Sequence, residues 1–420
     1  MSTIIPIPEE DLDAFVSIVL NAYPGFPVSS LEDRDRVREH LSQFITKERP
    51  GHLFGLYRKQ NLLGGMALYD FTMNVFGTSV QAGGVGLVAV DILHKREKVC
   101  KDMISFFLRY YREKGACLTL LHPFRPDFYK DMGFGFGSKM HEYIFPPNHL
   151  PVHPKDNICM LTEDDKQDIW DCYTRYVHKT HGMIEKTAFE VDRLFSTQEQ
   201  KIVGYRIGGT LQGYLVFTFK KDQSHFTIND IVVKEFIYET REAFLELLTF
   251  LRSQYDQVRF IIFRTQDPYF HHLFSDPRDI SGNILPIAYH QSNTSGVGLM
   301  YRIIDVEKFF TLLHAHPFGT ESCTLKISVR DTFLQENEGS TIVKFKKGFP
   351  VPGQKESEAD IQIKIKMEMD ISDFSSMVLG VVPFSRLYRY GLADISESSY
   401  VDVVDHIFRW DEPPQCITDF

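Results

Sequence analysis

The chain has 420 residues, of which 43% are apolar and 24% charged, and its formal net charge is −10. That length suggests two or three domains of ordinary size, and the composition is globular, with glycine and proline scattered along it. Phosphate contacts need a surplus of Lys and Arg on at least one face, so the acidic balance argues against a nucleic-acid binder and favours cationic partners.

Cys100, Cys117, Cys159, Cys172, Cys323 and Cys416 form no CxxC pair and have no His-rich spacing beside them. Neither a disulfide scaffold nor a metal site is expected. The start, MSTIIPIPEEDLDAF, lacks a basic stretch followed by an apolar run. No apolar segment approaches the roughly 18 residues that span a bilayer, so a soluble cytoplasmic protein with no membrane partner is expected.

Residues 8–21 place Leu12, Phe15, Val16, Val19 and Leu20 at helical spacing behind a Pro and several acids. A second helix fits DRDRVREHLSQFI, and HLFGLYRKQNLLGGMALYDFTM then reads as a hairpin. The strand VGLVAV at 85–90 leads into a helix over about 95–114, whose apolar face carries Val99, Met103, Phe106, Phe107 and Tyr110 and which stops at Lys114-Gly115. A strand follows at 117–123.

Much of this order recurs. Thr162 and Asp165 form a capping box ahead of a helix, KIVGYRIGGTLQGYLVFTF is a hairpin around Gly208-Gly209, INDIVV a strand, TREAFLELLTFLRSQY a helix and VRFIIF a strand. One α/β unit therefore occurs twice. From about 299 the texture changes: LKISVRD, STIVKFKKG and IQIKIKMEMD alternate apolar and polar residues, and short helices including YVDVVDHIF follow, as in an α+β domain with its strands first. The expected fold is mixed α+β, divided into 1–150, 151–298 and 299–420.

Between VGLVAV and its helix lies DILHKREKVC, which packs His94, Lys95, Arg96 and Lys98 around a helix start. Free N–H groups and the positive dipole end there suit a pyrophosphate, although bases at such a place are also commonly just solvated. The equivalent turn of the second unit, KEFIYETRE, has Glu235, Glu239 and Glu242 around Arg241. Acids repel a pyrophosphate, so only the first copy is expected to bind one.

An antiparallel hairpin, the strand VGLVAV, a basic turn and a helix resemble the acetyl-coenzyme A motif of the GNAT acetyltransferases. A functional GNAT-like unit, a degenerate one and a C-terminal domain similar to sterol carrier proteins together resemble the enhanced intracellular survival (Eis) family of N-acetyltransferases over the whole chain. The stretches that carry this are VAVDILHKREKV, PDFYKDMGFGFG, LMYRIIDVEKFF and MDISDFSSMVLG. Where the superfamily pattern has a glycine that lets phosphate approach the backbone, this chain has Lys98. The resemblance implies acetyl-coenzyme A as co-substrate, held along Val88, Ala89 and Val90 and at Lys95, Arg96, Lys98 and Val99. It also implies homo-oligomers, as hexamers.

Acetyl transfer to an amine needs a neutral nitrogen, and a lysine-like ammonium has a reference pKa near ~10.4. It also needs a proton for the departing thiolate, which a positioned phenol can supply. The resemblance puts the general acid on Tyr129, in PDFYKDMGFGFG. For the base, His94 and His122 are candidates that serve equally well as turn or strand-end residues.

In the family the base is the C-terminal carboxylate, which here falls on Phe420; an α-carboxylate has a reference pKa of about 3.5. Asp419 matches an acid just before that terminus, and Tyr23 and Phe26 are placed like an aromatic wall of the substrate channel. Asp394, Glu397, Asp402, Asp405, Asp411, Glu412 and Asp419 face only Arg409 in the last thirty residues, a composition that would draw polycationic amines. The resemblance implies acceptors such as aminoglycosides, polyamines and lysine side chains. The rival reading is a carrier of lipid or apolar ligands whose acetyltransferase units are relics.

Overall fold

The computed structural model describes residues 2–26, 28, 30–222, 225–351 and 365–420. It divides into two compact units, one formed by Met1–Gly137, Leu299–Pro414 and Thr418–Phe420, the other by Ser138–Gly298 and Gln415–Ile417.

In the first unit a strand, β1 (Ser2–Pro6), precedes two helices, α1 (Leu12–Ala22) and α2 (Leu31–Ile45). The apolar stripe of α1 is buried through Leu12, Phe15, Val16, Ile18 and Val19, and α2 opens on a capping box between Ser30 and Asp33. An antiparallel meander follows: β2 (His52–Arg58), β3 (Asn61–Val75) and β4 (Thr78–Val90). After it come α3 (Val99–Glu113), β5 (Leu118–Leu121), the short α4 (Pro126–Lys130) and β6 (Gly135–Phe136).

Two elements differ from expectation. The strand expected at 85–90 is the end of a longer one, because β3 and β4 run out to a turn at Phe76-Gly77, where φ is 53° and 83°. The helix expected from about 95 begins at Val99, because Arg96 and Lys98 take φ of 68° and 65°, which a right-handed helix cannot contain.

Residues 300–303, expected to open the third region, form instead a buried strand of the first sheet, antiparallel to both β5 and β6. A strand flanked on both sides buries all its side chains, as Met300, Tyr301, Arg302 and Ile303 are here. The rest of the C-terminal region has a five-stranded sheet, in the order 349–351, 339–346, 323–330, 365–370, 393–395, with helices at 306–312, 371–378, 384–389 and 401–408. The opening of the strand expected at IQIKIKMEMD, residues 361–364, lies outside the described residues.

The second unit repeats the first in outline. The capping box of Thr162 and Asp165 introduces a helix at Lys166–Lys179, and strands Gln200–Ile207 and Thr210–Lys221 are joined by Gly208-Gly209, both left-handed. Strand Asn229–Tyr238, helix Arg241–Arg252 and strand Val258–Thr265 complete a parallel crossover. Residues 140–145, ahead of the expected boundary at 150, pair with that last strand.

Candidate active site

In the first unit, β4 and β5 run parallel only from Ala82 opposite Leu118 to Val85 opposite Leu121. Beyond Gly86, β4 stays paired with β3 but parts from β5. A register shift in the β3–β4 ladder falls here, between Gly65 and Ala67, and Leu87 takes φ of 49°. A bulge of this kind turns the strand and re-aims its edge. One main-chain acceptor on that edge, the Val88 carbonyl, receives the Tyr23 hydroxyl at 2.9 Å.

Beside this edge opens a cavity of about 860 Å³. Its lining includes Tyr23, Phe26, Val88, Val90, Lys95, Arg96, Lys98 and Val99, so the structure gathers eight of the residues expected to bind cofactor or acceptor around one space. Lys95, Arg96 and Lys98 are exposed there, while the Val99 side chain roots the helix start in the core. Tyr23 packs edge-on to Phe26 at 5.7 Å, and burial pushes its phenol up to about 12, with a smaller contribution from Cys100. Ala89 is fully buried on the opposite face, against the core that includes α1. The cavity is lined by its neighbours Val88 and Val90 and not by Ala89 itself.

An extended strand edge, an apolar trough and bases at the start of α3 suit an elongated ligand with a phosphorylated end. Lys98 is the N-cap of α3 in a left-handed conformation, the geometry for which glycine is the usual choice. Its side chain is nonetheless exposed, so the charge remains available at the helix start.

Tyr129, on α4, is 2% exposed and wedged among Phe124, Phe128 and Phe134, all edge-on. Burial raises its phenol well above the ordinary value, helped by Cys100 and Tyr23, both of which line the cavity. The phenol is therefore protonated at neutral pH.

The Phe420 ring sits against Tyr69 at 5.6 Å, Phe71 at 4.9 Å and His122 at 5.0 Å. Its main-chain carbonyl carbon and oxygen lie 3.1 and 3.2 Å from where a Cβ on Gly86 would stand. Gly86 is the first residue of β4 beyond its pairing with β5, so Phe420 lies at the fork. Asp419 is exposed. His122 Nε2 is 3.4 Å from the Thr418 carbonyl, and His94 pairs with Glu97 at 3.2 Å on the cavity rim.

Sequence reasoning missed four residues. Phe124 and Phe128 wall the cavity, and their spacing around Pro126 was the available signal. Cys100, whose thiol burial pushes up to about 12, is small enough to leave the helix start open. Gly86 stands in the run GGVG, where repeated glycine in a strand marks a close approach.

The second unit lacks the basic turn. Its strand ends at Tyr238 and its helix begins at Arg241, against Val90 and Val99 in the first. The Ala243 N–H is already capped by Thr240. Glu239 pairs with Arg175 at 2.7 Å, and Glu235 engages Lys186 and the Tyr214 hydroxyl. Among the described residues, no cluster of three His, Cys, Asp or Glu is placed to hold a metal ion, and no helix is long and apolar enough to cross a membrane.

Residues 3–137 match an acetyltransferase (GNAT) domain, residues 182–303 a second acetyltransferase (GNAT) domain, and residues 306–417 a sterol carrier protein domain. The chain is thus a GNAT-class acetyltransferase with a C-terminal sterol carrier protein domain. That domain order is Eis-like, and solved structures share the fold end to end. Eis1 from Mycobacterium abscessus is 18% identical, with all of both chains covered and a TM-score of 0.76. A GCN5-related N-acetyltransferase from Anabaena variabilis is 17% identical, again over all of both chains, with a TM-score of 0.78. One from Kribbella flavida is 14% identical, covers 100% of this chain and 98% of its own, and has a TM-score of 0.77. No curated protein matches the sequence.

Proposed function

We propose that the chain is a cytoplasmic, acetyl-coenzyme A-dependent N-acetyltransferase for primary amines on polycations, including aminoglycosides, polyamines and lysine side chains. The observation that carries this is the fork of β4 and β5, with a basic helix start along one arm and Phe420 at its vertex. In this proposal residues 1–150 hold the cofactor, 151–298 form a degenerate copy, and 299–420 bring the chain end to the fork. The assembly is a homo-oligomer, a hexamer by resemblance to the Eis family.

Each step has a residue to perform it. Lys95, Arg96 and Lys98, with the first N–H groups of α3, hold the pyrophosphate, and the stretch of β4 from Val88 to Val90, unpaired with β5, aligns the thioester arm. The Phe420 carboxylate takes the proton of the acceptor ammonium. The amine nitrogen then attacks the thioester carbonyl carbon within a ternary complex, the C–S bond breaks, the Tyr129 hydroxyl protonates the departing thiolate, and the remaining surplus proton on the new amide nitrogen returns to the Tyr129 phenolate. Asp419, with Tyr23 and Phe26, receives the cationic acceptor, consistent with the net charge of −10.

The test is thiol release from acetyl-coenzyme A across a panel of amines. Turnover with polyamines or aminoglycosides is expected. Cofactor binding without thiol release on any amine would favour the carrier reading instead.

A further inference from the structure

Behind Tyr129 lies a polar network that the chemistry above leaves without a task. Arg302, on the penultimate strand of the first sheet, is fully buried and yet carries a charge. Its Nη2 donates to both carboxylate oxygens of Asp331 at 2.7 Å, and its Nη1 donates to the Met132 carbonyl. Asp331 is itself fixed by the Leu334 N–H at 2.8 Å and the Asn337 amide at 3.2 Å.

Met132 belongs to the turn that closes the Tyr129 helix. The Tyr129 carbonyl accepts from the Met132 N–H at 3.0 Å and from the Phe134 N–H at 3.1 Å. The guanidinium also lies 5.9 Å from the Phe134 ring centre, and that ring packs edge-on against Tyr129. Between them Gly133 has φ of 84°, and a Cβ there would collide with Arg302 Nη1. The glycine in DMGFGFG is thus required both by its conformation and by this arginine.

A helix of five residues has too few internal bonds to hold one side chain in a fixed place. A buried ion pair is in turn a poor device for stability, since apolar replacements of equal volume are often as good. What it supplies is geometry: the planar fork grips a carboxylate with one nitrogen and the turn with another, which a lysine cannot do. A second tether, Lys130 to Asp373 at 2.7 Å, ties the same helix to the C-terminal region.

We propose that Arg302, braced by Asp331 of the sterol carrier protein domain, is a positioning residue that holds the Tyr129 hydroxyl at the reacting sulfur. The C-terminal domain thereby takes part in catalysis from behind the acid. The proposal rests on the reading of Tyr129 as general acid, and its test separates the two.

The test is a double-mutant cycle of Arg302→Lys with Tyr129→Phe, reading kcat at saturating substrates, KM for acetyl-coenzyme A and thermal stability. Arg302→Lys is expected to lower kcat roughly 10- to 100-fold, the scale of a misplacement of about 1 Å, with KM nearly unchanged. In the Tyr129→Phe background the same change should have almost no further effect, because the group it positions is gone. Equal losses in both backgrounds, or wild-type kcat in Arg302→Lys, overturn the proposal. Wild-type kcat in Tyr129→Phe alone overturns the acid reading, and the positioning role with it. If Arg302→Lys does not fold, Asp331→Asn, which keeps the volume and loosens the grip on Arg302, enters the same cycle with the same outcomes.

Discussion

At the scale of single side chains, Tyr129 and Lys98 carry most of what the proposed site requires. The Tyr129 phenol, raised by burial, is protonated far beyond neutral pH, the state a general acid needs. Tyr129→Phe is expected to lower turnover by about 10²-fold or more while leaving acetyl-coenzyme A affinity intact, as separate kinetic and calorimetric measurements will show. Lys98 holds a left-handed backbone at a cost of about 1 kcal/mol that glycine does not incur. Lys98→Gly should therefore raise the urea midpoint slightly or leave it level, and a marked fall would contradict this account of the turn. Lys95→Ala combined with Arg96→Ala should weaken acetyl-coenzyme A binding about ten-fold or more by calorimetry, since two charge-assisted contacts are lost. The bases of this turn were legible in the sequence because charge at a helix start stands out. The backbone of Arg96 and Lys98 was not, since nothing in either side chain announces a positive φ.

At the scale of elements, the site is made by what β4 does after Gly86. Its pairing with β5 stops while its pairing with β3 continues, so one strand serves the sheet with one edge and the cavity with the other. The second unit keeps the crossover but runs from strand to helix through Glu239 and Thr240 alone, leaving no loop to wrap a pyrophosphate. Calorimetry is expected to give one acetyl-coenzyme A per chain, and a stoichiometry of two would refute this. Helices α1 and α3 could be read from spacing because their apolar faces repeat with the helical period. The fork could not, because where two parallel strands separate depends on register, a property of partners distant in sequence. The strand at 300–303 depends on register in the same way: its apolar run is legible, but its insertion between β5 and β6 is not.

Across the whole molecule, the tip of the β3–β4 hairpin meets the C-terminal domain. Phe76 stacks on His316 at 4.6 Å and lies 4.9 Å from Trp410. Burial lowers the His316 pKa to about 4, so the folded chain keeps that ring neutral while the unfolded chain takes up a proton near pH 6.5. The unfolded state then binds more protons between these values, and stability falls as pH drops from about 6.5 toward 4. The contribution is at most about 3 kcal/mol, and a His316→Phe variant should lose part of the acid sensitivity seen in urea midpoints at pH 7 and 5.

The chain end makes the other long connection, setting Phe420 among Tyr69, Phe71 and His122 with its main chain at Gly86. That Phe420 serves as base is the central claim, and it is tested most directly by extending the chain a few residues past Phe420 and measuring both thiol release and acetyl-coenzyme A binding. The account predicts unchanged cofactor affinity and no acetylation at neutral pH, because an amide replaces the carboxylate at the fork. Full activity in the uncleaved, extended protein would contradict it.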